Sequence, residues 1–315
     1  MPVRNSQKPL WLVTGGAGFI GSNISEELVK MGARVRILDN FCTGKKEHIA
    51  AFADKVELVK GDIRSAADLR KSMKGVSYVL HQAALRSVPK SVDCPEPTNE
   101  NNVDGTLKLL VAAKDAGVKR VVYASSSSAY GECRIFPQKE TLCPSPVSPY
   151  AVSKLAAEYY CVMFAKAYGL ETVSLRYFNV FGPRQDPESR YSAVIPKFME
   201  RAKAGRTLEV HWDGKQSRDF TFVANVVQAN IKAALSPKAA GGVYNIGCGG
   251  SNSLLELIKA IEDCLGGKVD KKFLPKRAGD VRKTYADISA AKRDLGYRPA
   301  VMFAEGVRLT WEYFK

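Results

Sequence analysis

The sequence predicts an α/β protein built on a doubly wound parallel sheet. Short apolar runs of strand length alternate with segments of helical apolar spacing through the first half of the chain. A glycine-rich turn joins the first apolar run to the first helical segment, and polar residues follow several of the runs directly. Sheets of this kind bind ligands outside the carboxyl ends of their strands, so the polar residues mark an expected site.

The glycine turn follows the apolar run that begins at Leu10. Gly15, Gly18 and Gly21 fit the pattern G-x-x-G-x-x-G, and a helix is predicted over residues 19–31. Glycines let the backbone turn tightly and approach a pyrophosphate, while the helix N-terminus presents N–H groups and the positive end of its dipole. The turn therefore predicts dinucleotide binding, and a purely structural turn is the alternative.

A carboxylate at the end of the second strand indicates which dinucleotide binds. The strand predicted over residues 34–38 ends in Asp39, eighteen residues after Gly21. A carboxylate at this place accepts hydrogen bonds from both ribose hydroxyls and repels a 2′-phosphate. The sequence therefore favours NAD over NADP.

Polar residues also follow the third, fourth and fifth strands, which are predicted over residues 56–60, 76–80 and 120–124. Asp62, Gln82 and Ser126 all fall at such ends. Asp62 is expected either to receive the adenine amino group or to cap the helix that follows. We expect His81 to pack at the end of its strand rather than to act in catalysis.

Tyr150 and Lys154 carry the predicted chemistry. They are four residues apart near the start of a helix predicted through about residue 168, so they share one helix face. A nearby ammonium stabilises a phenolate and lowers the tyrosine pKa from its usual value of about 10. The pair therefore predicts a general base for the oxidation of an alcohol.

Composition limits the location and the partners of the chain. Its 315 residues carry a net charge of +15 and seven cysteines, an odd number without C-x-x-C spacing. No stretch resembles a signal peptide or a membrane span, and no spacing of the histidines suggests a metal site. We expect a cytoplasmic protein without disulfides. Because the basic residues are dispersed, we expect no nucleic-acid partner and no membrane partner.

These motifs together resemble the extended short-chain dehydrogenase/reductase family. Within it the chain is similar to the nucleotide-sugar 4-epimerases along nearly its whole length, most of all to the UDP-N-acetylglucosamine 4-epimerase branch. The similarity is carried by the glycine turn, the serines at 125–128, Tyr150-x-x-x-Lys154, and the segments 81–85, 177–182, 184–187, 193–197, 217–220, 279–282 and 285–288.

The resemblance implies a Rossmann-type domain over residues 1–178, with returning segments near 218–247. Residues 179–315 are then mainly a smaller, interleaved lobe for the UDP-sugar, with the site in the cleft, and a strand is predicted within it over residues 219–223. NAD contacts are implied at Gly15, Gly18, Phe19, Ile20, Gly21, Asp39, Asn40, Asp62, Ile63, Gln82, Ala83, Ala84, Asn102, Tyr150, Lys154 and Tyr177. A homodimer paired through the helices at Asn102 and Tyr150 is also expected.

The substrate residues are likewise implied by the resemblance. They are Arg86, Ser87, Ser126, Ser127, Asn179, Ala193, Val194, Ile195, Lys197, Arg218, Arg277, Asp280 and Thr284. Arg218 and Arg277 would neutralise the diphosphate, and Asp280 would hold a ribose hydroxyl or orient Arg277. Trp212 departs from the usual glycine of this branch, and it either stacks near the base or packs.

The implied reaction is an NAD-dependent epimerisation at C4 of a UDP-sugar through a 4-keto intermediate. Tyr150 acts as base, Lys154 tunes it, and Ser126, with Ser127 as the alternative, hydrogen-bonds the same oxygen. A sugar dehydratase is disfavoured because Ser126 and its neighbours stand where dehydratases carry an Asp-Glu pair. A binding protein that keeps the fold without turnover is an alternative of another class.

Two residues bear on the choice of sugar. Thr284 is small where a bulky tyrosine restricts the family to UDP-glucose and UDP-galactose, so we expect interconversion of UDP-GlcNAc and UDP-GalNAc. Arg86 stands where that branch has glycine, and it could crowd an N-acetyl group, pair with a C6 carboxylate, or face solvent or a phosphate. UDP-glucose and UDP-glucuronate therefore remain alternative substrates.

Overall fold

The computed structural model describes residues 8–186, 194–276 and 281–314. Its strands, in chain order, are β1 Leu10–Thr14, β2 Arg34–Asp39, β3 Val56–Lys60, β4 Val76–His81, β5 Arg120–Ser126, β6 Glu171–Tyr177, β7 Val180–Phe181, β8 Leu208–His211, β9 Ser217–Arg218, β10 Thr221–Phe222, β11 Val243–Ile246, β12 Asn252–Ser253, β13 Lys271–Leu274 and β14 Lys283–Thr284. The helices are α1 Phe19–Lys30, α2 Ala66–Met73, α3 Val88–Asp93, α4 Glu96–Asn99, α5 Gly105–Asp115, α6 Pro149–Tyr168, α7 Val194–Lys203, α8 Val223–Leu235, α9 Leu254–Leu265, α10 Ser289–Leu295 and α11 Phe303–Tyr313.

The main sheet has seven strands in the order β11-β6-β5-β4-β1-β2-β3. The pairings among the first five strands of the chain are all parallel. Leu12, Val13, Ile37 and Val79 are fully buried, because helices cover both faces of such a sheet and the strands read as continuous apolar runs. The expected Rossmann-type α/β fold is confirmed, and the strand order reverses direction next to β1.

The chain divides into two compact units. The first comprises residues 1–125, 148–175 and 230–242, and the second comprises residues 126–147, 176–229 and 243–315. The first unit contains the glycine turn and the start of α6. The second contains the serines from Ser126 onward and most of the residues expected to bind the sugar nucleotide, whereas Arg86 and Ser87 lie in the first.

The strands that lie wholly in the second unit are short. The pair β10-β7, the trio β12-β9-β14 and the pair β13-β8 each form a small sheet of their own. A strand expected over residues 219–223 is present but shorter, because β10 takes only Thr221–Phe222 and α8 begins at Val223. Asp219 interrupts the run because its carboxylate accepts hydrogen bonds from the backbone of Cys248 and Gly249.

Among the described residues, no helix combines the length and the apolar character that crossing a membrane requires.

Candidate active site

The glycine turn between β1 and α1 is shaped to receive a phosphate group. Gly15 has a φ of +66°, and a Cβ there would lie 2.8 Å from the backbone of Ala83. A Cβ on Gly21 would lie 2.1 Å from the Gly15 carbonyl oxygen, so neither position can carry a side chain. A Cβ on Gly18 would meet only that same oxygen, at 3.1 Å, and would otherwise enter open space.

Gly18 is also the N-cap of α1 and provides no side chain to cap it. The first turn of the helix, which includes Phe19 and Ile20, therefore presents its N–H groups without a capping side chain to the space beside Gly18. That arrangement fits the pyrophosphate of NAD, because the backbone donates hydrogen bonds and the helix dipole favours an anion.

Asp39 at the end of β2 is held in one orientation by the backbone. Its side chain is buried, Oδ2 accepts from the Ala17 N–H at 2.9 Å, and Oδ1 accepts from the Phe41 N–H at 2.8 Å. Each carboxylate oxygen has a further lone pair, so both ribose hydroxyls of NAD can be accepted. Gly44 also lies beside this carboxylate, which was not expected from the sequence. A Cβ on Gly44 would lie 2.8 Å from Asp39 Oδ1, so a side chain there would displace the carboxylate.

Asp62 is held by a neighbouring arginine that the sequence interpretation missed. Arg64 donates to both carboxylate oxygens, through Nε at 3.0 Å and Nη2 at 2.8 Å, and this holds the pKa of Asp62 well below its usual range. Asn40 Nδ2 also donates to Asp62 at 3.0 Å, which joins the ends of β2 and β3. The alternative that Asp62 caps α2 is wrong, because Ser65 is the N-cap and accepts from the Asp68 N–H.

The segment after β4 is held by partly buried hydrogen bonds. The Gln82 N–H donates to the Thr14 carbonyl at 3.1 Å, and Gln82 Nε2 donates to Asn230 Oδ1 at 3.0 Å. Ala83 donates weakly to the Thr14 hydroxyl at 3.4 Å, and Ala84 follows it toward Leu85. The segment thereby runs directly beside the glycine turn.

The remaining expected cofactor residues have varied surroundings. Ile63 is buried, and a Cβ on Gly105 of α5 would lie 2.8 Å from its Cδ1, so it packs under that helix. Asn102 is buried and bonded to the backbone of Leu85. Tyr177 ends β6 and is buried. The contacts of these side chains with NAD stay predictions.

His81 is packed at the end of β4, as expected from the sequence. It is buried, and both ring nitrogens lie within hydrogen-bond distance of threonine hydroxyls. Burial, and to a lesser extent the charge of Lys154, lower the pKa of His81 to about 3. The ring is therefore neutral, and because its pKa is low and both nitrogens are hydrogen-bonded, it is a poor general base at physiological pH.

Tyr150 and Lys154 lie in the first two turns of α6. Ser148 caps this helix by accepting from the Ala151 N–H, and Pro149 occupies the first turn, where its missing N–H has no cost. The Tyr150 N–H donates to Ser91 Oγ at 3.1 Å, and the Tyr150 side chain is partly exposed. The tyrosine can therefore present its hydroxyl to a substrate while its backbone is held.

The Lys154 ammonium is buried against β5. It donates to the Ala124 carbonyl oxygen at 2.8 Å and lies 5.0 Å from the centroid of the Tyr123 ring. Burial lowers the pKa of Lys154 to about 7. Lys154 can therefore gain or lose its proton near neutral pH. It lies one helical turn beyond Tyr150 on the same face of α6.

The serines at the end of β5 differ in their hydrogen bonding. Ser126 Oγ accepts from both the backbone N–H and the hydroxyl of Ser128, at 3.1 and 2.8 Å. Its own hydroxyl hydrogen is therefore available to donate outward. Ser127 has no such pair of donors among the described residues, which favours Ser126 as the oriented donor.

The expected substrate residues of the second unit lie on short strands and at a helix start. Arg218 of β9 and Thr284 of β14 are partners in a parallel register, and the Thr284 hydroxyl is enclosed without a hydrogen-bond partner among the described residues. Asn179 is exposed, and its carbonyl accepts from the Thr221 N–H at 3.2 Å. The first turn of α7 carries Val194, Ile195 and Lys197, of which Ile195 is buried.

Three expected substrate residues, Ala193, Arg277 and Asp280, lie outside the described residues. In the first unit, Arg86 is exposed and forms no hydrogen bond or ion pair with a described residue. Ser87 is the N-cap of α3 and accepts from the Lys90 N–H. Ser87 thus has a structural role whether or not it contacts the substrate.

Trp212 lies beside two cationic side chains. Lys276 Nζ lies 4.5 Å and Arg282 Cζ lies 4.8 Å from its ring centroid. Arg282 also pairs with Asp213 at 2.8 Å. Trp212 therefore packs against cationic side chains, and its stacking near the base stays a prediction.

Comparisons with known proteins agree with this geometry. A family model described as the NAD dependent epimerase/dehydratase family matches residues 11–247. UDP-glucose 4-epimerase of Mycolicibacterium smegmatis is 40% identical over 309 residues, covering 96% of this chain and 98% of that protein.

Two solved structures are similar over nearly the whole chain. UDP-N-acetylglucosamine 4-epimerase from Methanobrevibacter ruminantium M1, in complex with UDP-N-acetylmuramic acid, has a TM-score of 0.93 at 41% identity, covering 98% of both chains. UDP-glucose 4-epimerase from Thermotoga maritima, with UDP-glucose, has a TM-score of 0.92 at 38% identity, covering 97% of this chain and 98% of that one. The chain is therefore an enzyme of the NAD-dependent epimerase/dehydratase family, with NAD as its cofactor.

Proposed function

We propose that this enzyme is a UDP-sugar 4-epimerase that interconverts UDP-GlcNAc and UDP-GalNAc. The observation that carries the reaction type is the pair Tyr150 and Lys154, with a buried lysine of near-neutral pKa behind a partly exposed tyrosine. The relatives named above are 4-epimerases of UDP-sugars. When bound, NAD supplies a reversible hydride acceptor for oxidation at C4.

The residues of α6 and β5 handle the proton. Tyr150, as phenolate, removes the proton of the sugar 4-hydroxyl and returns it after the 4-keto sugar has turned over. Lys154, when protonated, favours the phenolate and thereby lowers the tyrosine pKa. Ser126 donates its free hydroxyl hydrogen to the same sugar oxygen, which strengthens as negative charge develops there.

The second unit holds the uridine diphosphate while the sugar rotates. Arg218 and Arg277 neutralise the diphosphate, since a planar guanidinium matches phosphate oxygens in pairs. Asn179 contacts the sugar or its phosphate, and the start of α7 lines the uracil. Tight binding of the UDP part supplies the energy that retains a 4-keto sugar between its two orientations.

Thr284 supports an N-acetylated sugar. It lies on a two-residue strand in register with Arg218, so the residue expected beside the C2 substituent neighbours the one expected at the diphosphate. A threonine leaves room at C2 that a tyrosine would fill. The N-acetyl group of UDP-GlcNAc or UDP-GalNAc therefore fits beside Thr284 better than it would beside a tyrosine.

Arg86 supports a second candidate, UDP-glucuronate. Its guanidinium is exposed and forms no bond with a described residue, so it is available to pair with a carboxylate at C6. The two candidates make opposite predictions for Arg86→Gly. Removal of the side chain should spare or improve an N-acetylated sugar and should abolish the preference for an anionic one.

A side-by-side assay tests the proposal. We would measure kcat/KM of the wild type, Arg86→Gly and Thr284→Tyr with UDP-GlcNAc, UDP-glucose and UDP-glucuronate, following both C4 epimers by NMR. We expect turnover of UDP-GlcNAc that survives Arg86→Gly and is lost in Thr284→Tyr, while Thr284→Tyr keeps UDP-glucose turnover. A wild type that turns over only UDP-glucuronate, with activity lost in Arg86→Gly, contradicts the N-acetylated choice.

The same kinetic assay, combined with an RNA shift assay, tests the alternative of a binding protein without turnover. The net charge of +15 is the observation behind that alternative. A protein that turns over none of the three sugars but shifts RNA at physiological salt would be a binding protein on this fold. Turnover without an RNA shift excludes that alternative.

We further propose that the enzyme is a homodimer paired through α5 and α6, which pack against each other. Their outer faces expose Val111, Val152, Tyr159 and Met163, with 41%, 51%, 56% and 36% of each residue accessible. An apolar strip on two adjacent helices is typical of an isologous interface. Tyr159→Arg should produce monomers in analytical ultracentrifugation, whereas Leu255→Arg on α9 should not; a wild type that sediments as a monomer overturns the proposal.

A further inference from the structure

A continuous chain of buried hydrogen bonds crosses the first unit from β1 to the start of α6. Its links are Thr14 Oγ1 to His81 Nδ1 at 2.7 Å, His81 Nε2 to Thr106 Oγ1 at 3.0 Å, Thr106 Oγ1 to the Asn102 carbonyl at 2.6 Å, Asn102 Nδ2 to Ser153 Oγ at 3.0 Å, and Ser153 Oγ to the Tyr150 carbonyl at 2.8 Å. All five side chains are at least 98% buried. Water is therefore not available to replace a lost link.

The donor and acceptor of each hydrogen bond in the chain follow from its two backbone carbonyls. The carbonyl oxygens of Tyr150 and Asn102 can only accept, so the hydroxyl hydrogens of Ser153 and Thr106 are already used. Thr106 must then accept from His81, which requires the hydrogen on Nε2. Because the ring is neutral, Nδ1 is unprotonated and accepts from the Thr14 hydroxyl. Every member has one permitted orientation.

The side-chain amide of Asn102 is oriented by the same logic. Its Nδ2 donates to Ser153 Oγ at 3.0 Å and to the Leu85 carbonyl at 2.9 Å, while its Oδ1 accepts from the Leu85 N–H at 2.8 Å. Both amide hydrogens are used, so none remains to donate to a cofactor. Asn102 acts on the cofactor site by holding the backbone that follows Gln82, Ala83 and Ala84.

A π-helical turn over Glu100–Asp104 sets Asn102 in this place. The wider turn changes the backbone pairing locally, and the hydroxyl of Thr106 supplies a bond to the Asn102 carbonyl. Such turns within α-helices are frequent at functional sites because they redirect one residue out of the helical register. Here the redirected residue links two segments of the site.

We propose that Thr14, His81 and Thr106 are positioning residues of the reaction, which fix the main chain of Tyr150 and Leu85 relative to the end of β1 beside the glycine turn. The proposal rests on the proposed function in taking Tyr150 as the base. None of the three touches substrate through its side chain, because each is buried and bonded within the chain. Loss of one link frees the first turn of α6 to shift, and small misplacements of a reacting group lower the rate steeply.

The test compares two variants of Thr106 with a matched control. Thr106→Val keeps the shape but loses both bonds, whereas Thr106→Ser keeps the hydroxyl. Thr310→Val on α11 removes the same kind of buried bond, from Thr310 Oγ1 to the Gly306 carbonyl at 2.6 Å, in the other unit. We would measure the melting temperature, kcat and KM of each.

We expect Thr106→Val to lower kcat by about 10- to 100-fold with KM for the UDP-sugar nearly unchanged. Thr106→Ser should restore kcat, and Thr310→Val should lower the melting temperature without lowering kcat. A near-normal kcat in folded Thr106→Val, or an equal loss of kcat in Thr310→Val, overturns the proposal.

A measurement independent of activity tests the chain directly. The protein has three histidines, so imidazole ¹⁵N resonances can be assigned to His81 by changing His48 and His211 to Gln. We expect a neutral ring with the hydrogen on Nε2 throughout pH 5 to 9. A ring protonated on Nδ1, or a charged ring in that range, overturns the proposal even if Thr106→Val fails to fold. An active Tyr150→Phe enzyme would instead refute the proposed base and leave this result standing.

Discussion

The two units build their parts of the site in different ways. In the first, Asp39 and Asp62 lie at or just after the ends of strands of the main sheet, and Asn102 lies on the π-helical turn before α5. The polar atoms of each are held by several hydrogen bonds. In the second, Arg218 and Thr284 lie on strands of two residues each. A long strand carries its terminal residue to one position through a whole ladder of bonds, whereas a short strand is set mainly by its neighbours.

The difference teaches where specificity is easily changed. The residues expected around NAD are tied to the core, so a substitution there disturbs the fold as well as binding. Arg218 and Thr284, expected around the sugar nucleotide, lie in a small sheet outside the main one, so we expect their exchange to affect the main sheet less. We therefore expect changes in the first unit to alter the chemistry and the cofactor, and changes in the second to alter the substrate.

The largest effect is expected for Tyr150→Phe. The ring remains and only the proton acceptor is removed, so epimerisation should fall by roughly three orders of magnitude or more while bound NAD is retained. The measurement is kcat together with the NAD content of the purified protein. Tyr168→Phe, at the exposed C-terminal end of the same helix, is the matched control and should be near normal. Near-normal turnover by Tyr150→Phe would contradict the mechanism.

A smaller loss is expected for Ser126→Ala, because one well-placed hydrogen bond in the transition state contributes about 10²-fold. Ser127→Ala is the control, since Ser127 lacks the two donors from Ser128 that orient Ser126. The steady-state kcat of both variants shows which serine hydrogen-bonds the sugar oxygen. If Ser127→Ala is the damaging change, the second unit presents the other serine to the sugar.

Asp39→Ala should weaken NAD binding by roughly 10-fold and narrow the preference over NADP. The expected loss is that of hydrogen bonds from two ribose hydroxyls to a charged acceptor. Calorimetric titration of both cofactors into the wild type and the variant measures it. A wild type that prefers NADP would show that Asp39 does not face the ribose.

The smallest effect is a dependence of stability on pH that arises from Lys154. Burial lowers its pKa to about 7 from 10.5 in the unfolded chain, so between these values the unfolded state binds a proton that the native state lacks. The free energy of unfolding should therefore rise with pH through this window, by at most roughly 3 kcal/mol between pH 7 and 9.

Urea unfolding of the protein without added cofactor, at pH 7 and at pH 9, measures this rise. Lys154→Met should flatten it. Lys119→Met is the control, because Lys119 is exposed although it lies 5.8 Å from the centroid of the Tyr78 ring. An unchanged slope in Lys154→Met would show that Lys154 remains charged in the native state.

Much of the secondary structure of the first unit could be predicted from the local sequence. The strands at 34–38, 56–60, 76–80 and 120–124 are confirmed to within two residues at each end. Continuous apolar runs, glycines and the residues after them are local signals. In a parallel sheet the residues that follow the strands all lie at the same edge, so these local signals also predict where the site is. The NAD dependence and the α/β fold needed no knowledge of side-chain contacts.

The tertiary structure decided what each polar side chain does. Asp62 is bound by Arg64, and Asn102 is bound to Leu85 and Ser153, although the sequence suggests only that both lie near the cofactor. The strand expected over 219–223 is shortened to Thr221–Phe222, and the Asp219 carboxylate accepts hydrogen bonds from the distant backbone of Cys248 and Gly249. Hydrogen-bond partners far apart in the chain leave no local pattern.

The sequence alone thus determined the sheet, the glycine turn, the Asp39 carboxylate and the spacing of Tyr150 and Lys154, because each depends on residues within one or two turns or strands. Only the folded chain decided that Lys154 loses its water and titrates near pH 7, and that His81 carries its hydrogen on Nε2. Both depend on burial and on partners 25 or more residues away, and these exist only after the sheet has assembled.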